Sequence, residues 1–111
     1  MPTVNVFYKN KEQLEKLESI ISGLKKYISE KLTCGDISLT PEEISVRFIT
    51  TAERGMIGQV EVEITAAAFS ERVKKQDEIC LEVANYIKKK IPVVGEVKVW
   101  LILSELGHSW K

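Results

Sequence analysis

The sequence predicts an α/β fold, a two-layer sandwich in which duplicated β-α-β units form a four-stranded sheet with two helices on one face. Two observations lead to this prediction. A short alternating strand pattern is followed by a long helical pattern and a second strand, and the same order then repeats. A crossover between parallel strands is right-handed, so both helices are expected on one face of the sheet. We expect a single domain over 1–111, with units at about 1–58 and 59–111.

The first unit begins with TVNVFY, in which apolar and other residues alternate over positions 3–8. From about Lys11 to Leu32 the apolar residues fall at helical spacing, which predicts an amphipathic helix of five to six turns. In the stretch LTPEE, Thr40 and Glu43 fit a capping box, and Pro41 suits the first position of a short helical turn. The strand ISVRFITT follows.

The second unit repeats this order. VEVEI alternates over 60–64, a helical pattern runs from about Ser70 to Ile91, and VKVWLILS forms a last strand after Pro92 and Gly95. If Leu32 is aligned with Ile91, Tyr27 matches Tyr86. The strand residues VRF and VKV can likewise be superimposed. These correspondences favour an internal duplication.

The sheet face opposite the helices is expected to need a cover. It would carry Phe7, Ile49, Trp100 and Ile102 among polar side chains, which is too apolar to remain in water. Self-association is the simplest way to cover it.

Composition excludes several classes of protein. The 111 residues carry 16 basic and 16 acidic side chains, and a net charge of zero argues against a partner that is nucleic acid or a membrane surface. No apolar run reaches the roughly 18 residues of a membrane span, and no signal peptide is expected from the N-terminal residues. Cys34, Cys80 and His108 do not have the spacing of a metal site, so no metal or cofactor is expected. Cysteine usage fits a cytoplasmic protein.

Several stretches together resemble the tautomerase superfamily. They are Met1-Pro2 leading into a strand, a long first helix, TPEEISVRF, the glycine-containing RGMIG, and VKVWLILSELGHS near the end. The resemblance covers nearly the whole chain. It implies a tautomerase-like fold, a homotrimer of two-unit chains, and a cofactor-independent isomerase acting on a small carboxylate-bearing keto or enol compound. Hydration or dehalogenation of unsaturated acids would use the same groups.

The resemblance also implies roles for particular residues. After removal of Met1, the secondary amine of Pro2 would be the general acid/base, whereas a retained Met1 would acylate it. Arg47, Arg72 and Lys98 would bind the substrate, although lysine in place of arginine at position 98 weakens bidentate binding. Ile57 and Trp110 would supply an apolar wall.

The proposed chemistry is physically reasonable. Burial beside cationic side chains penalises a protonated amine, and a base with a pKa near neutrality suits proton abstraction next to a carbonyl. Two alternatives remain open at this point. Arg47 could be a cross-strand partner of Glu61 or Glu63. The protein could also be a non-catalytic oligomeric binding or regulatory module with a tautomerase-like or a ferredoxin-like fold.

Overall fold

The structure, a computed structural model, describes residues 2–33, 38–51 and 59–104. Its strands are β1 (Thr3–Tyr8), β2 (Ser45–Thr50), β3 (Val60–Ala67) and β4 (Val97–Ser104). They form one sheet in the order β2-β1-β3-β4, parallel within each pair β1/β2 and β3/β4 and antiparallel between β1 and β3. The parallel pairing expected within each unit is confirmed. It also excludes the ferredoxin-like alternative, whose sheet is antiparallel.

The helices form a layer on one face of this sheet. They are α1 (Lys11–Ser19), α2 (Ile21–Leu32), α3 (Ser70–Lys74) and α4 (Gln76–Lys90). Each of the two long helices expected from the sequence is therefore divided, at Ile20 and at Lys75, where ψ is 5° and 12°. The apolar spacing continues across a break of one residue, so the sequence pattern does not reveal it.

Two short 3₁₀ turns, Pro41–Glu43 and Pro92–Val94, precede the edge strands β2 and β4. The capping residues predicted for the first turn do interact: the Glu43 carboxylate accepts hydrogen bonds from the backbone N–H of Thr40 at 3.4 Å and from its hydroxyl at 3.2 Å. Each turn has a proline at its start, where a missing N–H costs nothing.

The hydrophobic core lies between the sheet and the helices. Alternate strand residues point into it, as the period of two predicts, and meet apolar residues of α1, α2 and α4. The fully buried members are Val4, Val6, Leu17, Leu24, Ile28, Leu32, Val60, Val62, Ile64, Val83 and Ile87.

Two stacked tyrosines connect α2 and α4 within the helix layer. The rings of Tyr27 in α2 and Tyr86 in α4 are stacked, with centroids 4.5 Å apart and planes 19° apart. Lys31 lies over the first ring and Lys90 over the second, at 5.3 Å and 5.7 Å from the centroids. The residues that the sequence alignment had matched are thus direct neighbours.

The other face of the sheet, here called the open face, carries none of the helices that the structure describes. Its side chains form three rows across the strands. From β2 to β4 these rows are Ser45, Thr3, Thr65, Ile102; Arg47, Asn5, Glu63, Trp100; and Ile49, Phe7, Glu61, Lys98. Trp100 is 42% exposed and Ile102 is 45% exposed. The apolar residues expected on this face are therefore there, and partly open to solvent.

Candidate functional site

Pro2 lies at the start of the central strand β1 and is buried. Its carbonyl accepts a hydrogen bond of 3.2 Å from the backbone N–H of Ser45, which fixes it against the start of β2. Since Thr3 is on the open face and Val4 is in the core, the alternation places Pro2 on the helix side of the sheet.

Arg72 lies at the same end of the sheet and is buried, with 3% of its surface exposed. Its Nε donates to the Leu32 carbonyl at the end of α2 at 2.9 Å, and one terminal nitrogen donates to the Ala67 carbonyl at the end of β3 at 3.0 Å. The guanidinium also lies over the ring of Phe69, 4.7 Å from its centroid. Arg72, in α3, is thus hydrogen-bonded to the ends of two other elements, α2 and β3.

Arg47 is exposed on the open face, in the row that crosses the middle of the sheet. Asn5 is its direct neighbour on β1, and Glu63 is one strand further away. Arg47 is therefore not directly opposite either glutamate that the sequence suggested as a partner. Among the residues that the structure describes, none forms an ion pair with it.

Lys98 is on the open face of the other edge strand, opposite Glu61. Its ammonium group lies 2.8 Å from the carboxylate of Glu96 and holds the pKa of Glu96 below its usual range through a hydrogen bond and charge attraction. Arg47 and Lys98 are on opposite edges of the sheet, so a single chain does not bring them together.

Pro2 and Arg47 are also separated within one chain, because they are on opposite faces of the sheet. The other predicted apolar contacts, Ile57 and Trp110, lie outside the described residues. Among the described members of the predicted set, only Pro2 and Arg72 lie at the same end of the sheet and on its helix side.

Asn5 is a polar residue to which the sequence gave no role. Its side-chain N–H donates to the Glu63 carboxylate at 3.5 Å, while its Oδ1 is buried and has no hydrogen-bond partner in the described chain. A buried acceptor without a donor is costly, so this position needs a further donor. The sequence could not have indicated this role, because Asn5 is placed between Arg47 and Glu63 only once the strand order is known.

A polar cavity of about 190 Å³ lies in the helix layer, between the end of α2 and the start of the second helix pair. Charged side chains line most of it: Glu30, Lys31, Glu71, Arg72, Lys75, Glu78 and Glu82. Lys31 and Glu82 form an ion pair across it, which lowers the pKa of Glu82 and raises that of Lys31.

No group of three or more potential metal ligands occurs in the described ranges. No helix within these ranges is both long and apolar enough to cross a membrane.

The predicted fold class is confirmed: the fold is tautomerase-like. No protein-family profile and no curated protein matches the sequence, but several solved structures do match the fold. A macrophage migration inhibitory factor-like protein from Entamoeba histolytica has a TM-score of 0.65 at 14% identity over 97% of this chain and 95% of that chain.

Two further structures show the same arrangement. A fused 4-OT, described as an asymmetric trimer, has a TM-score of 0.70 at 13% identity, over 98% of this chain and 94% of that one. Malonate semialdehyde decarboxylase has a TM-score of 0.58 at 10% identity, over 95% of this chain and 84% of that chain. At these identities the comparison establishes the fold and leaves the chemistry to be argued from the residues.

Proposed function

We propose that the protein is a tautomerase-like isomerase, in which the free amine of Pro2 is the general acid/base for a small carboxylate-bearing keto or enol substrate. The burial of Pro2 at the start of a central strand carries this proposal. Burial disfavours the protonated amine, and this keeps part of it available as a base near neutral pH.

The site is assembled from more than one chain. Arg47 is on the face opposite Pro2, so it can meet a prolyl amine only if it belongs to another copy. The partly exposed Trp100 and Ile102 on the same face favour such contact between copies. A homotrimer is the assembly that the fused 4-OT structures suggest.

Arg47 then binds the substrate carboxylate as a planar fork and stabilises the charge that develops on the enolate oxygen. Lys98 would offer a second cation, although its contact with Glu96 competes for it. Nothing in this chemistry needs a cofactor, and the partner is a small molecule in the cytoplasm.

The first experiment compares the same chain with and without a free Pro2 amine. Protein processed by methionine aminopeptidase is compared with protein that keeps an N-terminal extension, using ketonisation of a model enol α-keto acid as the assay. We expect the extension to reduce the rate by about 10²–10⁴-fold, the range for loss of a general base. Circular dichroism and native mass of the two proteins are the control for loss of fold or assembly. Equal rates for the free and extended proteins would refute the role of Pro2.

A second experiment tests the assignment of the site to two chains. N-terminally extended chains and Arg47→Met chains are each expected to be inactive. Random mixing should restore about a quarter of the sites, because in those sites one chain supplies Pro2 and its neighbour supplies Arg47. Mixtures that stay inactive would contradict a site shared between chains. A fully folded oligomer that converts no keto or enol acid would instead favour the non-catalytic module.

A further inference from the structure

We propose that Arg72 is a positioning residue whose buried charge lowers the pKa of the Pro2 amine. This deepens the proposed function, because the pKa of Pro2 matters to the reaction only if that amine is the base. The resemblance gave Arg72 the role of substrate contact, which stays a prediction. Its burial and its two carbonyl partners favour a different role.

The sheet register brings Pro2 next to the end of β3. Thr3 pairs with Thr65 in the antiparallel ladder between β1 and β3. One further step in this register places Pro2 beside Ala66, which is 1% exposed and faces the core. The prolyl nitrogen therefore lies near the last residues of β3, on the helix side of the sheet.

The Ala67 carbonyl, to which Arg72 is bonded, points toward the same place. The backbone N–H of Ala68 donates to the Ser104 carbonyl of β4 at 3.0 Å, so it points away from β1. Because no peptide bond in the described chain is cis, the Ala67 carbonyl in the same peptide unit points the opposite way, toward β1. Arg72 donates to this carbonyl at 3.0 Å, which puts its charge on the side where Pro2 begins.

The charge of Arg72 is held in one place. The two hydrogen bonds use separate nitrogens of the guanidinium and come from separate chain segments, so the side chain cannot turn outward without losing both. The charged groups that face it line the polar cavity. They are Glu30 and Lys31 from α2, Glu71 beside it on α3, Lys75 between α3 and α4, and Glu78 and Glu82 from α4. These groups are open to water to varying degrees, so solvent screens them more than it screens a side chain that is 3% exposed.

Strand spacing sets the size of the effect. Neighbouring strands are about 4.8 Å apart. Together with the 3.0 Å bond, this places the guanidinium within roughly 10 Å of the prolyl nitrogen. At an effective dielectric constant of about 20, a unit charge at that distance lowers the pKa of an amine by about one unit.

The test measures this pKa directly and needs no substrate. Protein labelled with ¹⁵N-proline is processed by methionine aminopeptidase, checked by intact mass, and titrated by following the N-terminal proline nitrogen by NMR. Arg72→Met and Arg72→Gln remove the charge, Arg72→Lys keeps it, and Lys74→Met removes an exposed cation two residues further along α3. The peptide PTVNV gives the unperturbed value.

We expect the pKa of Pro2 in the wild type to lie below that of the peptide, and to rise by about one unit in Arg72→Met and Arg72→Gln. Arg72→Lys and Lys74→Met should stay within about 0.3 unit of the wild type. The inference is overturned if both neutral variants titrate like the wild type.

Should both neutral variants fail to fold, the remaining measurements still decide. A wild-type pKa equal to that of the peptide, or an Arg72→Lys protein whose pKa rises to the peptide value although its charge is kept, overturns the inference. The readout also separates this inference from the proposed function. A protein in which Arg72 lowers the pKa of Pro2, but which converts no enol acid, would disprove only the proposed function.

Discussion

Gly23 in α2 packs so closely against α4 that a methyl group has no room there. A Cβ added at Gly23 would lie 2.5 Å from the hydroxyl oxygen of Tyr86, and the next heavy atom, Cζ of the same ring, would be 3.8 Å away. At 2.5 Å the added Cβ and the Tyr86 hydroxyl are too close, so one of them would have to move, whereas 3.8 Å is an ordinary van der Waals distance. One hydroxyl oxygen therefore creates the whole conflict.

The expected cost follows from two opposing effects. Alanine is a better helix former than glycine by about 1 kcal/mol. Moving the Tyr86 hydroxyl aside disturbs the ring stack with Tyr27, and overpacking of this kind costs about 1–3 kcal/mol. Gly23→Ala should thus lower the free energy of unfolding by about 1 kcal/mol.

A double-mutant cycle reverses the sign of this effect. In a Tyr86→Phe background the hydroxyl is absent, so the methyl group introduced by Gly23→Ala would meet only Cζ at an ordinary distance. There the same substitution should stabilise the protein by up to about 1 kcal/mol, giving a coupling energy of roughly 2 kcal/mol. Urea unfolding followed by circular dichroism, at one protein concentration for all four proteins, measures the cycle. A coupling below about 0.5 kcal/mol would show that the two helices are further apart than described here.

Two other perturbations test the helix layer and the open face. Glu82→Gln removes the partner of Lys31. Because this ion pair lowers the pKa of Glu82, its contribution to the free energy of unfolding should be present at pH 7 and should disappear as the pH falls below about 4. This contribution should stay below about 1 kcal/mol, since both side chains are about a third exposed. Urea titrations at pH 7 and pH 3 measure this, with Glu12→Gln as an exposed comparison; an effect that persists at pH 3 would argue against the ion pair. Trp100→Glu should shift the native mass spectrum toward single chains, whereas Leu81→Glu, a change at a 62% exposed residue of α4, should not; an unchanged assembly in the first variant would exclude the open face as the interface.

The sequence predicts the architecture well because the period of two in the sequence agrees with the burial pattern in the two central strands, β1 and β3. Strict alternation in β3 placed Val60, Val62 and Ile64 in the core, and all three are buried. The alignment of Tyr27 with Tyr86 pointed to two residues that prove to be in contact. Local patterns of this kind predict burial correctly because the apolar stripe of a helix and the alternation of a strand face the same hydrophobic core.

The surroundings of the candidate site could not be predicted in this way. Arg72 follows Ser70 and Glu71 in a polar stretch, and nothing in that stretch indicates burial. The carbonyl that holds its Nε belongs to Leu32, 40 residues earlier in the chain. The unpartnered oxygen of Asn5 likewise becomes visible only when β2 and β3 take their places on either side of β1. Contacts between distant segments carry no local sequence signature.

The two β-α-β units have the same order of elements but differ at the residues proposed to take part in the reaction. Pro41 and Pro92 each begin a 3₁₀ turn six residues before a cation on an edge strand, Arg47 in one unit and Lys98 in the other. This correspondence favours the internal duplication, which stays a prediction. The first strand of one unit begins after Pro2, and that of the other begins after Gln59, which has no amine to offer. Under the proposed function each chain would therefore contribute one base, Pro2. Because Arg47 and Pro2 of one chain are on opposite faces of the sheet, the Arg47 that meets this base would come from a neighbouring chain.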